Sequence, residues 1–252
     1  MTSAPAPDHY SYSHYADPAT ARTFDDRRFG GPIGDLVAAS QARVLASFIG
    51  RIQQRDILDV GTGTGRAALY LARGGANVTA VDASEAMLEV ARARAQAEGA
   101  TVRFQVGDVH ALAFPDKSFD VVVCLRVLMH SPRWLTCVAE LCRVAGRLVV
   151  VDYPAAASFA LLESAARRVM HGVGIKTEPY RVFTDSAIAD AFDRSGFRIR
   201  SVHRQFVLPI AFHKAIGSRR LTTSTEDLLA RAGLLKAFGS PVSIVAERCA
   251  SS

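Results

Sequence analysis

The residues best suited to chemistry lie in a few short stretches. In Ile57-Leu58-Asp59-Val60-Gly61-Thr62-Gly63-Thr64-Gly65 an apolar run ends in a glycine-rich turn. Glycines permit a tight, partly left-handed turn and let backbone approach a ligand closely. The spacing is GxGxG, not the GxGxxG that lays a pyrophosphate on a helix N-terminus. Asp59 adds a carboxylate beside the turn, which suits a cationic ligand better than a pyrophosphate; a purely structural strand-to-helix turn is the alternative. Asp82 ends the next apolar run and can accept hydrogen bonds from both hydroxyls of a ribose. It could also cap the following helix, a role for which Ser84 is better placed. His130 follows Arg126-Val127-Leu128-Met129 on the side where parallel sheets bind ligands, and an imidazole there is a candidate general base, with packing as its alternative. Tyr15, with His9, Tyr10, Tyr12 and His14, could close over a ligand as a lid, or belong to a frayed tail.

These residues need a frame, and the hydrophobic pattern supplies one. Apolar positions Leu36, Val37, Val44, Leu45, Phe48 and Ile49 recur at helical spacing, so residues 35–49 read as an amphipathic helix ended by Gly50. Strand and helix then alternate: strand 56–60, helix 65–73, strand 77–81, helix 84–98, strands 101–106 and 119–125, helix 132–144 and strand 147–152. Runs as continuously apolar as VVVCL and RLVVV belong in a parallel sheet covered on both faces. Further on the pattern gives helices 155–170 and 184–195, a strand over 197–207, a helical region over 210–235 and a last strand over 242–247. The link HGVGIKTEPY between the first two of these helices reads as a mobile segment. The expected architecture is one doubly wound α/β domain over 35–252, preceded by an N-terminal helical lid or tail over 1–34 and carrying a helical insertion before the last strand, over about 154–240, as substrate region.

Composition limits the classes. With 49% apolar and 21% charged residues in a chain of 252, disordered, collagen-like and coiled-coil readings are poor fits. No run approaches the roughly 20 apolar residues of a membrane span, and the N-terminus lacks the pattern of a signal peptide, so a cytoplasmic location is expected. Cys124, Cys137, Cys142 and Cys249 form no CxxC pair and read as free thiols. The net charge of +6 keeps nucleic acid in view as a partner, but the excess is Arg scattered through Ala-rich helices.

The runs LDVGTGTG, VTAVDAS and FQVGDVHALAFPDKSFDVVVCLRVLMH together resemble the class I S-adenosylmethionine-dependent methyltransferases. Within them, GDVHALAFPDKSFD is similar to the group that includes the ubiquinone and menaquinone C-methyltransferases. The resemblance covers about 35–152 and the last strand, and implies a Rossmann-like seven-stranded sheet with its last strand antiparallel. It implies that Gly61, Gly63, Thr64 and Gly65 wrap the methionine part of S-adenosyl-L-methionine, that Asp82 holds the ribose, that Asp108 and Val109 flank adenine, and that Leu125 lies near the amino group. Asp108 could instead serve the Gly107-Asp108 turn. With Asp59, Thr62, Ala83 and Tyr15 these complete the expected cofactor set. Many relatives carry a Lys-Pro-Gly-Gly turn before the fifth strand, where this chain has Arg143-Val144-Ala145-Gly146-Arg147.

The acceptor is expected to be a small molecule, aromatic or prenylated, methylated on oxygen or carbon, with His130 as its candidate base. The Asn/Asp-Pro-Pro-aromatic turn of amino-group methyltransferases is replaced by Cys124-Leu125-Arg126-Val127. The Asp-Asn pair of metal-dependent catechol O-methyltransferases has no counterpart to join Asp152, so no metal is expected. The alternatives are RNA methylation, motivated by Arg198, Arg200, Arg204, Lys214, Arg219 and Arg220 but without an RNA-binding module, and a non-catalytic S-adenosylmethionine-binding protein. Phe183, Phe197, Phe206, Leu208, Ile210 and Phe212 are candidates for the wall of an acceptor pocket, or for core.

Overall fold

The computed structural model describes residues 15–172 and 180–250. His9, Tyr10, Tyr12 and His14, and most of the HGVGIKTEPY link, lie outside the described residues. Seven strands form one sheet: β1 (Asp56–Val60), β2 (Asn77–Asp82), β3 (Val102–Val106), β4 (Phe119–Cys124), β5 (Ala145–Tyr153), β6 (Phe197–Phe206) and β7 (Ser240–Arg248), in the order β3-β2-β1-β4-β5-β7-β6. The first five are parallel, and β7 runs antiparallel to both of its neighbours. This is the expected seven-stranded α/β sheet with its last strand reversed.

The continuous apolar strands are explained by two cores, one on each face. Leu58, Val60, Val122, Cys124, Val149 and Val151 point to the face covered by α5 (Trp134–Val144) and α7 (Asp185–Arg194). Their neighbours Ile57, Val121, Val123, Leu148 and Val150 point to the other face, under α2 (Gly31–Ile49) and α3 (Arg66–Arg73). With period-two side chains and helices on both sides, the interior strands carry apolar residues on both faces. Helix α4 (Glu85–Ala97) opens at Ser84, whose hydroxyl accepts from the Met87 amide, as the capping pattern predicts.

Some boundaries differ from the pattern. The lead contains a helix, α1 (Pro18–Phe29), whose polar sequence shows little period but whose start is marked by Asp17 as N-cap and by Pro18. Helix α2 begins four residues before its apolar stripe, because Pro32 fits a first turn. Helix α6 (Phe159–Gly172) starts later than expected, since Ala155 pairs with Phe183 in an isolated bridge. The region read as one helical stretch divides into α8 (Ile210–Ile216), α9 (Arg219–Arg231) and α10 (Leu234–Phe238). The divisions fall at Gly217 and Gly233, both at positive φ.

Leu58 is fully buried on β1, an interior strand of the sheet. Leu58→Ala should lower the unfolding free energy by about 2–5 kcal/mol, read as a shift in the urea midpoint with an unchanged slope.

Candidate cofactor and acceptor site

The chemistry is assembled at the C-terminal ends of the parallel strands. After β1 the chain turns through Gly61, Gly63 and Gly65, all at positive φ. The Gly61 and Thr62 amides donate to the Val81 carbonyl, at 2.7 and 3.0 Å, which docks the turn on the end of β2. A Cβ on Gly61 would lie 2.2 Å from Cγ2 of Val127. Gly65, at the entry to α3, instead packs close to Ala91 of α4, where a Cβ would meet that side chain at 3.0 Å.

Two carboxylates hold the turn from beneath. Asp59, 2% exposed, accepts from the Thr62 hydroxyl at 2.6 Å and from the Ala68 amide at 3.1 Å through one oxygen. Burial outweighs these bonds, and the neighbouring Asp82 charge adds to it, so the Asp59 pKa is pushed up to about 6. Asp82 accepts from the Gly63 amide on one oxygen, at 2.8 Å, and from the Ser84 amide on the other, at 2.9 Å. Its pKa is raised as well, by burial, against the pull of its backbone donors. A carboxylate oxygen has room for a second donor, so both oxygens of Asp82 can still accept from a ligand.

Beyond β3, the Asp108 carboxylate lies 2.7 Å from Nδ1 of His110 and accepts from the His110 amide. Nε2 of His110 is 2.8 Å from the Ser131 hydroxyl. The imidazole thus ties the Asp108 turn to the single helical turn Leu128–His130 after β4. Beyond β4, Arg126 is held at positive φ by its amide, which donates to the buried Asp152 at the end of β5.

Helix α1 lies over this floor. Asp25 accepts from the Thr64 hydroxyl at 2.9 Å and from Arg94 at 2.6 Å, pinning α1 to the glycine turn and to α4. The Ser84 hydroxyl donates to the Tyr15 carbonyl. The Tyr15 ring meets His130 edge-on at 6.0 Å between centroids, and Phe24 at 6.1 Å.

Together these elements enclose one open-mouthed cavity. Asp59, Gly61, Thr62, Gly63, Thr64, Asp82, Ala83, Asp108, Val109, Leu125, Tyr15 and His130 all line it. Gly65 does not; it sets the approach of α3 to α4. Phe24, Arg28, Phe29, His110, Arg126 and Ser131 also line the cavity and were not anticipated. The Asp-x-His spacing of Asp108 and His110 was a visible signal; the others are brought in by tertiary contacts.

A second cavity adjoins the first, and Arg28, Phe29, Arg126 and His130 line both. Its walls include Tyr153, Phe159, Tyr180, Leu208 and Ile210. Of the aromatic and aliphatic residues weighed as pocket walls, Phe183, Phe197 and Phe206 are buried in or against the cores and Phe212 is exposed. Only Leu208 and Ile210 of that set face the cavity.

A seven-stranded sheet with this reversal, a GxGxG turn and an acidic residue ending β2 defines a nucleoside-binding α/β enzyme. Residues 58–149 match the family described as a methyltransferase domain. The chain is 30% identical over 199 residues to the demethylmenaquinone methyltransferase of Tropheryma whipplei (strain Twist), covering 72% of this chain and 82% of that protein. It is 38% identical over 117 residues to a ubiquinone biosynthesis O-methyltransferase of Alkalilimnicola ehrlichii, covering 46% of this chain and 47% of that protein. Its fold is similar to that of magnesium protoporphyrin IX methyltransferase from Synechocystis PCC 6803 with bound S-adenosylhomocysteine, at a TM-score of 0.65 and 18% identity over 94% of this chain and 98% of that one. The chain belongs to the S-adenosylmethionine-dependent methyltransferases.

Two outcomes test this geometry. Gly61→Ala combines a strained backbone with a clash and should cost about 2–5 kcal/mol of stability; placed in a Val127→Ala chain it should cost only the backbone part, about 1–2 kcal/mol. Because folding raises the Asp59 pKa from 3.8 to about 6, the protonated acid favours the fold; that contribution is complete below pH 3.8 and lost as pH rises through about 6. The stability of wild type relative to Asp59→Asn should therefore fall by on the order of 3 kcal/mol between pH 4 and pH 7, as read by denaturation at each pH.

Proposed function

We propose that the protein transfers a methyl group from S-adenosylmethionine to an oxygen or carbon atom of a small aromatic or prenylated molecule. The observation that carries this reading is the pair of desolvated carboxylates, Asp59 and Asp82, under the glycine turn. They repel a pyrophosphate and favour a cation-bearing nucleoside, so the residues present fit S-adenosylmethionine. In this reading Gly61, Thr62, Gly63 and Thr64 approach the methionine portion with Asp59 beneath, and Leu125 lies near the amino group. Asp82 and Ala83 hold the ribose. Asp108, oriented by His110, accepts from the adenine amino group, and Val109 packs on the ring. Tyr15 and α1 form the lid, and the region about 154–240 with its second cavity takes the acceptor.

The bound cofactor supplies an electrophilic methyl group on a sulfonium. The chain's part is alignment and exclusion of water. His130 lines both cavities, with Tyr15 against its ring, a position from which it takes the acceptor's proton. The RNA reading loses support from its own residues. Arg204 bonds Asp185 and the Gly239 carbonyl, Arg200 bonds the Phe48 carbonyl, and Lys214 bonds the Arg27 and Arg28 carbonyls. No described helix is long and apolar enough to cross a membrane.

Calorimetric titration with S-adenosylhomocysteine should give saturable binding that Asp82→Ala weakens by about tenfold or more, with no binding of NADH. Binding of NADH in its place would overturn the reading. With a panel of phenols, quinols and aromatic acids as acceptors, His130→Ala should lower kcat by about 10²-fold or more and remove the acidic limb of the pH–kcat profile. An unchanged profile would make His130 a packing residue.

A further inference from the structure

The second cavity combines apolar walls with a cluster of cations at its junction with the first. Arg126 sits at the junction and lines both cavities. Its φ of 65° is in the left-handed region, where a non-glycine residue with a long side chain is uncommon and the backbone is strained. Such a residue persists when its surroundings over-determine it. Here the Arg126 amide is bonded to Asp152, whose own position is fixed on β5 in the register Asp152 to Ser243. The strain would be removed by glycine, so the guanidinium itself accounts for an arginine at this position.

That guanidinium makes no hydrogen bond or ion pair among the described residues, and its Nε is buried without a partner. Arg28 is close enough for its charge to be the largest influence lowering the Arg126 pKa, to about 10. Lys214, bonded to the last carbonyls of α1, is lowered by burial and then by both arginines. Three cations from α1, the end of β4 and α8 thus converge on one cavity. The carboxylates that line it are Asp152, bonded to the Arg126 amide and near enough for its charge to act on Arg126 and Arg28, and Glu163, paired with Arg167. The Arg126 guanidinium, with no hydrogen bond to either, is the group open to a further anion.

We infer that the acceptor is an organic anion, with a carboxylate or ionised hydroxyl held by Arg126 and Arg28 while its apolar body lies against Tyr153, Leu208 and Ile210. A planar guanidinium suits a two-oxygen anion. Fixing that group at the junction orients the rest of the acceptor relative to His130 and the donor cavity. This inference rests on the methyltransferase reading of the site and adds the acceptor's charge to it.

The test uses full-length protein saturated with S-adenosylhomocysteine and titrated with 2-naphthoate, its neutral isostere 2-naphthamide, 4-nitrophenol at pH 6 and pH 8, and inorganic phosphate. Naphthoate should bind about tenfold or more tighter than naphthamide, with phosphate a weak competitor. Tightening of 4-nitrophenol between pH 6 and pH 8, beyond any change in naphthamide, would place the ionised hydroxyl in the same subsite, and its absence would limit the subsite to carboxylates. The naphthoate-to-naphthamide ratio should fall to about threefold or less in Arg126→Gln and decrease in Arg28→Gln, while Arg126→Lys, which keeps the charge but loses the two-point fork, falls between wild type and Arg126→Gln. Because the ratio is internal to each protein and Arg28 lies on a different element, a poorly folded variant does not decide the result. Equal binding of naphthoate and naphthamide to the wild type would overturn the inference, as would phosphate binding as tightly as naphthoate. Failure to bind S-adenosylhomocysteine at all would instead overturn the proposed function.

Discussion

The desolvated carboxylate of Asp59 fastens β1, the glycine turn and α3 into one unit, and the donor cavity is built outward from it. A neutral Asn or Thr could supply a comparable acceptor to Thr62 and Ala68 without the penalty of burying a charge. Retaining an acid whose pKa is pushed up to about 6 is the kind of disfavoured arrangement found where a site must meet a ligand of opposite sign. Asp82 repeats it one strand away, and the two acids raise each other's cost. A cation between them relieves both. The same geometry explains the glycines: with the turn held on the Val81 carbonyl and on Asp82, the chain must take left-handed conformations at Gly61 and Gly63.

The roof depends on contacts of a different kind. Asp25 joins α1 to Thr64 and Arg94, and Lys214 caps its far end by bonding the carbonyls of Arg27 and Arg28. A cation at a helix C-terminus is favourable to the helix dipole as well as to those carbonyls. Lys214 is itself fixed by α8, which is tied down by the buried His213. His213 bonds Glu226 and Thr222, and Glu226 accepts from the amides of Val207 and Leu208. The end of β6, α8, α9 and α1 therefore form one connected wall. The helices between β6 and β7 are linked in this way to α1 over the first cavity, although about 190 residues separate them in the chain.

What the sequence revealed follows from how local each signal is. The strand run through β5, the GxGxG turn, Asp82 and the Ser84 cap were legible because period, positive φ and capping are properties of neighbouring residues. The cofactor residues quoted from the family resemblance fall on one cavity for the same reason, Gly65 excepted. Helix α1 was legible only as a helical lid without bounds, although Asp17-Pro18 marks its start, since its few apolar residues carry little period. Arg126 gave no local signal at all: its role depends on Asp152, 26 residues on. The wall of the second cavity was equally hidden. Phe183, Phe197 and Phe206 have the composition of a pocket but lie in or against packed core, and side-chain type alone does not separate the two.

The two cavities meet at Arg28, Phe29, Arg126 and His130, with Asp59 and Asp82 on the far side of one and Lys214 on the far side of the other. On the proposed reading, donor and acceptor meet at that junction. Methyl transfer from a sulfonium is held back by water around the reacting groups and favoured where fixed groups replace that water. An acceptor anchored through its anion at the arginines has that charge neutralised away from the sulfonium, which leaves its reacting atom to His130 and prevents a stable ion pair with the donor. The backbone strain at Arg126 and the buried acids at Asp59 and Asp82 are then two sides of one arrangement. Each sacrifices stability to keep a charge where the fold alone would not place it.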